Sequence, residues 1–323
     1  MCTAVSMNTR SHYFGRNLDL AYHYDERVVI APRHYPFSFR QLPALPSHLA
    51  LIGTATVIDG YPLYYDATNE AGLSMAGLNF PSNAVYLPVT GGKDNISPFE
   101  FIPWVLAQAE TIAQGRALLD RVSLADLPFS KELSLSPLHW IIADRHASIT
   151  VEPMADGLQI DDNPVGVLTN NPPFDHHMTN LTNYMMLSPA SPRNAFAPGL
   201  HLSPYGFGMG AIGLPGDCSS ASRFVRAAFA KFHSVCGASE AESVSQFFHI
   251  LSSVRHIRGC VETDKGYAIT VYSSCCNTDR GIYYYTTYEN SRITAVDMHR
   301  ENLDSDTLIA YPFQTRQDIL FAN

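Results

Sequence analysis

The chain has 323 residues, of which 46% are hydrophobic and 16% charged, and its 21 basic and 30 acidic side chains give a formal net charge of −9 at pH 7. A chain this acidic is a poor candidate for binding nucleic acid, because phosphate backbones are held by clustered cations. No apolar run is long enough to span a membrane and no secretory signal follows Met1, so we expect a cytoplasmic protein without a membrane segment. The six cysteines include no C-x-x-C pair, which predicts reduced thiols and no zinc or redox motif. Since there is no repeat or linker, we expect one domain over residues 1–323.

The first half of the chain is predicted to form strands interrupted by two helices. Strands are expected at Cys2–Met7, His12–Leu18, Leu49–Val57, Gly72–Leu78, Leu138–Ala143 and Ser148–Glu152, the first two and the last two forming hairpins. Residues 97–100 read Ser-Pro-Phe-Glu, a capping box with proline at the first helical position, so a helix is predicted there. A second short helix is predicted at Gln114–Val122.

The second half is predicted to place its helices together and to end in antiparallel strands. A strand at Val165–Thr169 is followed by helices at Asp175–Met186, Ser220–Ser234 and Ser239–Val254, and then by strands at Tyr267–Ser273, Gly281–Tyr288 and Ile293–Met298. Antiparallel strands with helices that are grouped rather than alternating indicate an α+β fold, with two sheets between helical layers.

The second residue is the first candidate for catalysis. Once Met1 is removed, Cys2 would carry a thiol and a free α-amine on one residue. The amine has an ordinary pKa of about 7.7–8.0, so it can accept the thiol proton near neutral pH. A nucleophile with its own base needs no separate histidine. Position 2 by itself leaves open that this cysteine is an accident.

Other polar residues lie where they could assist Cys2. Arg16 and Asp19 lie near the end of the second strand, where a guanidinium would favour the thiolate and a carboxylate could hold the ammonium, although a surface salt bridge is the alternative. Asn79 and Asn170 follow strands and could donate to an oxyanion, or could be turn residues before proline. Arg223 begins a helix and by itself would be a surface charge.

These residues lie in motifs that resemble the bile salt hydrolases of the choloylglycine hydrolase and penicillin V acylase family, a family of N-terminal-nucleophile hydrolases. In chain order the matching segments are Cys2, Arg16–Asp19, Asn69–Leu73, Gly77–Pro81, Leu168–Asn170, Gly213–Asp217, Ala221–Phe224 and Gly281–Asn290. The resemblance spans nearly the whole chain.

The resemblance implies a four-layer αββα sandwich of two antiparallel sheets between helical layers. It implies an enzyme that cleaves the amide bond between a bile acid and glycine or taurine through a Cys2 thioester. Arg16 and Asp19 would act on the Cys2 thiol and amine, Asn79 and Asn170 would form the oxyanion hole, and Arg223 would complete the polar site. It implies a homo-oligomer, commonly a tetramer. Adjacent His176 and His177 would point in different directions on a helix, and no Cys or carboxylate cluster has metal-ligand spacing, so we expect no metal or cofactor.

The resemblance also implies an apolar pocket for the steroid. The matching positions are Leu18, Ile58, Tyr65, Phe129 and Leu133. Ala67 stands where glycine commonly follows the aspartate, so we expect a loop of different shape there.

Three alternatives remain open at this point. Asn79 favours bile salts, because penicillin acylases more often carry tyrosine there, yet a penicillin V acylase or an N-acyl homoserine lactone acylase could use the same site. A non-catalytic bile-acid or lipid-binding protein could retain the fold, and a retained Met1 would favour it because an acylated nitrogen cannot act as a base.

Overall fold

The first of two large antiparallel sheets contains the N-terminal strand pair. The computed structural model describes residues 1–323. In spatial order the six strands are β12 (Val167–Leu168), β1 (Cys2–Asn8), β2 (His12–Leu20), β15 (Ile269–Asn277), β16 (Ile282–Thr287) and β17 (Thr294–Asp297). Because β1 and β2 are central and almost entirely buried, residues at the very start of the chain are fixed in the protein interior.

The second large sheet has eight strands. Their spatial order is β11 (Gly157–Asp162), β10 (Ser148–Met154), β9 (Leu138–Ala143), β6 (Ser74–Asn79), β5 (Tyr61–Asn69), β4 (Leu51–Ile58), β3 (Arg27–Ala31) and β18 (Ile309–Pro312). Two small sheets pair β7 (Asp94–Ile96) with β8 (Val122–Leu124) and β13 (Glu262–Thr263) with β14 (Gly266–Tyr267).

Five α-helices form the two outer layers. They are α1 (Phe101–Leu106), α2 (Ile112–Leu119), α3 (Phe174–Leu181), α4 (Ser220–His233) and α5 (Glu240–Ser252). Serine side chains cap the two longest, and α5 begins with a complete capping box formed by Ser239 and Glu242. None of the helices combines the length and apolar character needed to cross a membrane.

The helices and sheets stack in four layers. Helix α1 packs on β5 and β6 of the eight-stranded sheet, whereas α4 and α5 pack on β1, β2 and β15 of the six-stranded sheet. The two sheets contact each other where β1 and β2 lie against β5 and β6. The predicted αββα sandwich is therefore confirmed, and it places the ends of β1, β2 and β6 together in the middle of the protein.

Most predicted elements are present, with shifted ends. The helix predicted from residues 97–100 begins only at Phe101, because Glu100 accepts from the Ser97 N–H at 2.9 Å while the Ser97 hydroxyl donates to Leu127. The prediction of Gln114–Val122 as one helix was wrong at its end, since Val122 begins β8.

Four strands of the eight-stranded sheet were not predicted, and one of them corrects an expectation. Strand β5 contains Pro62, Asp66 and Asn69, which are uncommon in strands and hide its pattern. Ala67 lies within β5 and is buried, rather than in a loop, so the expected change in loop shape was wrong. The others, β3, β11 and β18, are short and lie at or next to the sheet edges.

Candidate active site

The pairing of β1 with β2 determines which side chains accompany Cys2. Cys2 lies opposite Leu18, and Ala4 lies opposite Arg16. Opposed residues of an antiparallel pair share one face, and alternate residues share a face along a strand. Cys2, Leu18 and Arg16 therefore face the eight-stranded sheet, whereas Thr3 and Asp19 face helices α4 and α5.

Arg16 is fully buried beside Cys2. Its Nη1 donates to the backbone carbonyls of Gly77 and Tyr65 at 2.6 and 2.9 Å, so two strands of the opposite sheet fix the guanidinium. Burial disfavours the charge, but the neighbouring Cys2, Tyr272 and carboxylates outweigh it, and the pKa of Arg16 is raised. Arg16 is therefore a permanent cation on the face of β2 that Cys2 shares.

Asp66 supplies the negative charge on the same side. Its carboxylate accepts hydrogen bonds from the hydroxyls of Tyr272 at 2.5 Å, Tyr283 at 2.7 Å and Ser274 at 3.2 Å. Burial raises the pKa of Asp66, while Arg16 and the three hydroxyls act in the opposite direction. Sequence reasoning missed this role, although an aspartate among apolar strand residues was the signal available.

Asn170 contacts the Cys2 backbone directly. The Cys2 N–H donates to Asn170 Oδ1 at 2.8 Å, and Asn170 Nδ2 donates to the Asn79 carbonyl at 2.7 Å. The Asn170 backbone is held on both sides, because its N–H donates to Ser220 Oγ at 2.8 Å and its carbonyl accepts from His177 Nε2 at 2.8 Å. Asn79 thus enters this network through its backbone carbonyl.

Arg223 lies inside the protein rather than on the helix surface. It donates from Nη1 to Thr3 Oγ1 at 2.7 Å and to the Cys2 carbonyl, from Nη2 to Asn170 Oδ1 at 2.7 Å, and from Nε to the Cys218 carbonyl at 3.0 Å. The side chain is fully buried and all four hydrogen-bond partners are neutral. Burial therefore lowers the pKa of Arg223 from its ordinary value. The surface-charge alternative was wrong.

Asp19 lies on the opposite face of β2 from the thiol. Its Oδ1 accepts from Thr270 Oγ1 at 2.6 Å, while its backbone carbonyl accepts from the Met1 amine at 2.6 Å and its N–H donates to the Met1 carbonyl at 2.9 Å. Met1 therefore extends β1 alongside Asp19. Removal of Met1 would free both backbone groups of Asp19 and leave the Cys2 nitrogen as the terminal amine.

Comparison with known proteins identifies the family of this chain. Residues 2–311 match the family described as linear amide C–N hydrolases, choloylglycine hydrolase family. The chain belongs to this family. The predicted family and enzyme class are confirmed.

Relatives of the same family match nearly the whole chain. The chain is 49% identical to the bile salt hydrolase/transferase of Lactiplantibacillus plantarum, with all of both chains covered. It is 36% identical to the conjugated bile acid hydrolase of Lactobacillus acidophilus, over 96% of this chain and 100% of that relative.

Solved structures show the same fold. A crystal structure of a mutant conjugated bile acid hydrolase from Clostridium perfringens superposes with a TM-score of 0.93 at 36% identity, over 100% of both chains. The penicillin V acylase from Agrobacterium tumefaciens, at 17% identity and a TM-score of 0.76 over 97% of this chain and 91% of that one, shares the fold.

The five expected pocket positions of this choloylglycine hydrolase family member do not all lie in one cluster. Leu18 is buried in the same apolar cluster as Cys2, and the half-buried Tyr65 packs against that cluster. Ile58, at the end of β4, and Leu133 are half-buried outside it. The ring of Phe129 packs in a separate group of aromatic rings with Phe99 and Tyr61.

Two buried histidines support Asn170, and sequence reasoning assigned neither of them a role. His177 is stacked on Phe224 with 4.7 Å between ring centroids, and His139 Nε2 donates to the Thr169 carbonyl at 3.0 Å. Burial lowers the pKa of His177 to about 4, so the ring is neutral at neutral pH. Neither His177 nor His139 belongs to a cluster of three or more possible metal ligands.

Proposed function

We propose that this chain is a conjugated bile salt hydrolase, which cleaves the amide bond between a bile acid and glycine or taurine with Cys2 as its N-terminal nucleophile. The observation that carries the proposal is the environment of Cys2, whose nitrogen is bound by Asn170 and whose thiol shares a face with buried Arg16. Relatives named for this activity match the chain from end to end, which supports the substrate class.

The first half of the reaction forms a thioester. The mature α-amine of Cys2 accepts the proton from Sγ, and the thiolate, favoured by Arg16, attacks the amide carbonyl carbon. The resulting oxyanion is stabilised by donors of Asn170 and Asn79, each such donor being worth about 3–4 kcal/mol in known enzymes. Collapse breaks the C–N bond, and the Cys2 ammonium returns its proton to the leaving nitrogen, which departs as glycine or taurine.

The second half reverses the proton movements. The neutral amine takes a proton from water as the water oxygen attacks the thioester carbonyl, and the ammonium then protonates the leaving thiolate. The product acid gives its proton to solvent, and the bile acid departs as its carboxylate. In these steps Asn170 and Arg223 keep the Cys2 backbone in place, and Asp19 supplies a negative charge near the ammonium. The apolar steroid would bind chiefly by burying surface against Leu18, Ile58, Tyr65, Phe129 and Leu133, at about 25 cal/mol per Å².

The test is detection of free amine from glycine- and taurine-conjugated cholate, with penicillin V in parallel. We expect release from both conjugates by the wild type and at least a thousandfold loss in Cys2→Ala, with the fold retained. Cys236→Ala is the matched control, because this cysteine is half-buried and contacts Ser243, away from the site. Intact mass should show a chain that begins at Cys2.

Other results of the amine-release assay would favour another function or refute the mechanism. Cleavage of penicillin V alone would favour the acylase alternative. Binding of conjugates without release of amine, in a chain that retains Met1, would favour the non-catalytic binding protein. Full activity of Cys2→Ala would refute the mechanism.

We also propose that the single domain assembles into a homotetramer in the cytoplasm. The segment between α3 and α4 supports self-association, because its apolar side chains are unusually exposed. They include Met185, Met186, Phe196, Tyr205 and Phe207. Light scattering on the purified protein tests the assembly, and a monomeric mass would contradict it.

A further inference from the structure

His256 lies just after helix α5, and its buried ring is next to Asp19. Its backbone N–H donates to Thr270 Oγ1 at 2.8 Å, and its carbonyl accepts from the Thr270 N–H at 3.1 Å. The same Thr270 hydroxyl donates to Asp19 Oδ1 at 2.6 Å. One side chain of β15 thus fixes both the segment that carries His256 and the carboxylate of Asp19.

Asp19 and His256 each have a buried polar atom without a hydrogen bond, and these atoms face each other. Asp19 Oδ2 has no partner, nor has either ring nitrogen of His256. His256 Nε2 lies 4.0 Å from Asp19 Oδ2, and no other basic group lies within this distance of the carboxylate. Buried polar groups without partners cost stability, so an approach of about 1 Å, which turns this contact into a hydrogen bond, is favourable.

We infer that His256 is a positioning residue, whose Nε2–H donates to Asp19 Oδ2 in the mature enzyme and orients the carboxylate beside the N-terminal amine. The inference rests on the proposed function, in which that amine is the general base. Thr270 holds one carboxylate oxygen and His256 holds the other. The carboxylate then cannot turn away when the amine becomes an ammonium.

The charges around His256 agree with a neutral donor. Burial lowers its pKa, Asp19 opposes this effect, and Arg223, the N-terminal amine and Arg226 add to it. Arg255, the adjacent residue, also interacts with Asp19. A neutral imidazole carries one N–H, and donation of that N–H to Asp19 favours the ionised carboxylate.

Substitutions at position 256 separate this role from simple packing. His256→Phe fills the space without a donor, whereas His256→Gln retains an amide donor. We expect His256→Phe to lower kcat for conjugated cholate about tenfold with KM nearly unchanged, the usual scale for losing a group that orients a catalytic one. We also expect the acid limb of kcat/KM to move, because the carboxylate beside the N-terminal amine is no longer held by this donor.

His256→Gln should restore most of kcat and the original acid limb. His12→Gln is the matched control, because His12 is also buried and neutral but hydrogen-bonds to Ser6 and Thr278. We expect its kcat to stay within about twofold of the wild type. A wild-type pH profile in His256→Phe, no rescue by glutamine, or an equal loss in His12→Gln would each overturn the inference.

A second measurement needs no substrate, so it separates this inference from the proposed function. The rate at which iodoacetamide alkylates Cys2, followed by peptide mass spectrometry, reports thiolate content across pH. We expect the profile to shift in His256→Phe and not in His256→Gln, even if the wild type releases no amine from any conjugate. Identical profiles in all three proteins would overturn the inference.

If His256→Phe does not fold, proton NMR of the wild type tests whether His256 donates to Asp19. The Nε2–H of His256, assigned by its loss in His256→Gln, should exchange slowly because a buried carboxylate accepts it. A rapidly exchanging or undetected signal would overturn the inference.

Discussion

Arg223→Met would test whether the four hydrogen bonds of Arg223 serve catalysis more than stability. Methionine replaces the aliphatic stem of arginine but has neither charge nor donors. Loss of Arg223 removes the guanidinium, which donates both to the Cys2 carbonyl and to Asn170 Oδ1. If Asn170 is then free to turn, one oxyanion donor is lost, which lowers kcat about a hundredfold to a thousandfold.

The expected loss of stability is limited, and it follows from the partners of Arg223. Asn170 Oδ1 keeps the Cys2 N–H, and the Cys218 carbonyl belongs to a half-buried residue. Only the Cys2 carbonyl and the Thr3 hydroxyl lose a buried donor, at about 1–3 kcal/mol each. Loss of Arg223 also removes the desolvation cost of the buried guanidinium, which lowers its pKa, and this offsets part of the loss. We expect the free energy of unfolding to fall by less than about 3 kcal/mol.

Amine release and urea denaturation measure the two quantities on the same preparations. Arg226→Met is the control, because Arg226 lies one turn further along α4 and donates to the carbonyls of Ser253, Pro215 and Asp217. Its kcat/KM should remain within about threefold of the wild type. A kcat/KM for Arg223→Met within threefold of the wild type would refute the catalytic role. If the unfolded fraction of Arg223→Met accounts for its whole loss of kcat/KM, the residue serves stability rather than catalysis.

Two further predictions concern buried ionisable groups. Asp66→Asn should lower the free energy of unfolding by about 2 kcal/mol or more, because it removes a negative charge facing buried Arg16; an unchanged urea midpoint at pH 7 would contradict this. Burial lowers the pKa values of His12 and His177 from 6.5 to about 4, so both rings are neutral in the folded chain and take up protons more readily when unfolded. Their contribution to stability is therefore complete above pH 6.5 and is lost as the pH falls towards 4. Urea midpoints between pH 7 and pH 4 should show this decline, and His177→Asn should make it less steep; equal slopes would contradict the assignment to His177.

The elements that sequence predicts best are those with a strong periodic pattern. Helices α4 and α5 have serine caps and apolar residues at helical spacing, and both were placed within two residues of their observed ends. Strand β5 escaped prediction because its polar residues point into buried networks rather than to solvent. Asp66 accepts from two tyrosines of the opposite sheet, a contact that only the tertiary fold creates.

Some residues of the polar site could likewise be predicted from sequence, and others could not. Arg16 and Cys2 could be brought together from sequence, because strand pairing alone determines their common face. That Arg223 is buried could not be predicted from its position at the start of a helix. Its surroundings come from β1 and from the segment around Asn170, which lie far from it in the chain. Likewise, the role of His177 depends on a carbonyl seven residues earlier, after the chain has turned back.

The formal charges around Cys2 bear on the proposed proton transfer. Arg16 and Arg223 contribute two buried positive charges, and Asp19 and Asp66, when ionised, contribute two negative ones. With a neutral thiol and a neutral amine, the mature site therefore has no net charge. Transfer of the proton from sulfur to nitrogen adds one charge of each sign, so the site remains neutral. Because a net charge in a low-dielectric interior is costly, this balance lets the nucleophile form without a proton exchanged with solvent. Loss of either arginine would leave the same transfer in a negatively charged site, where a thiolate is less favourable, so both guanidinium groups should be needed for attack although neither transfers a proton.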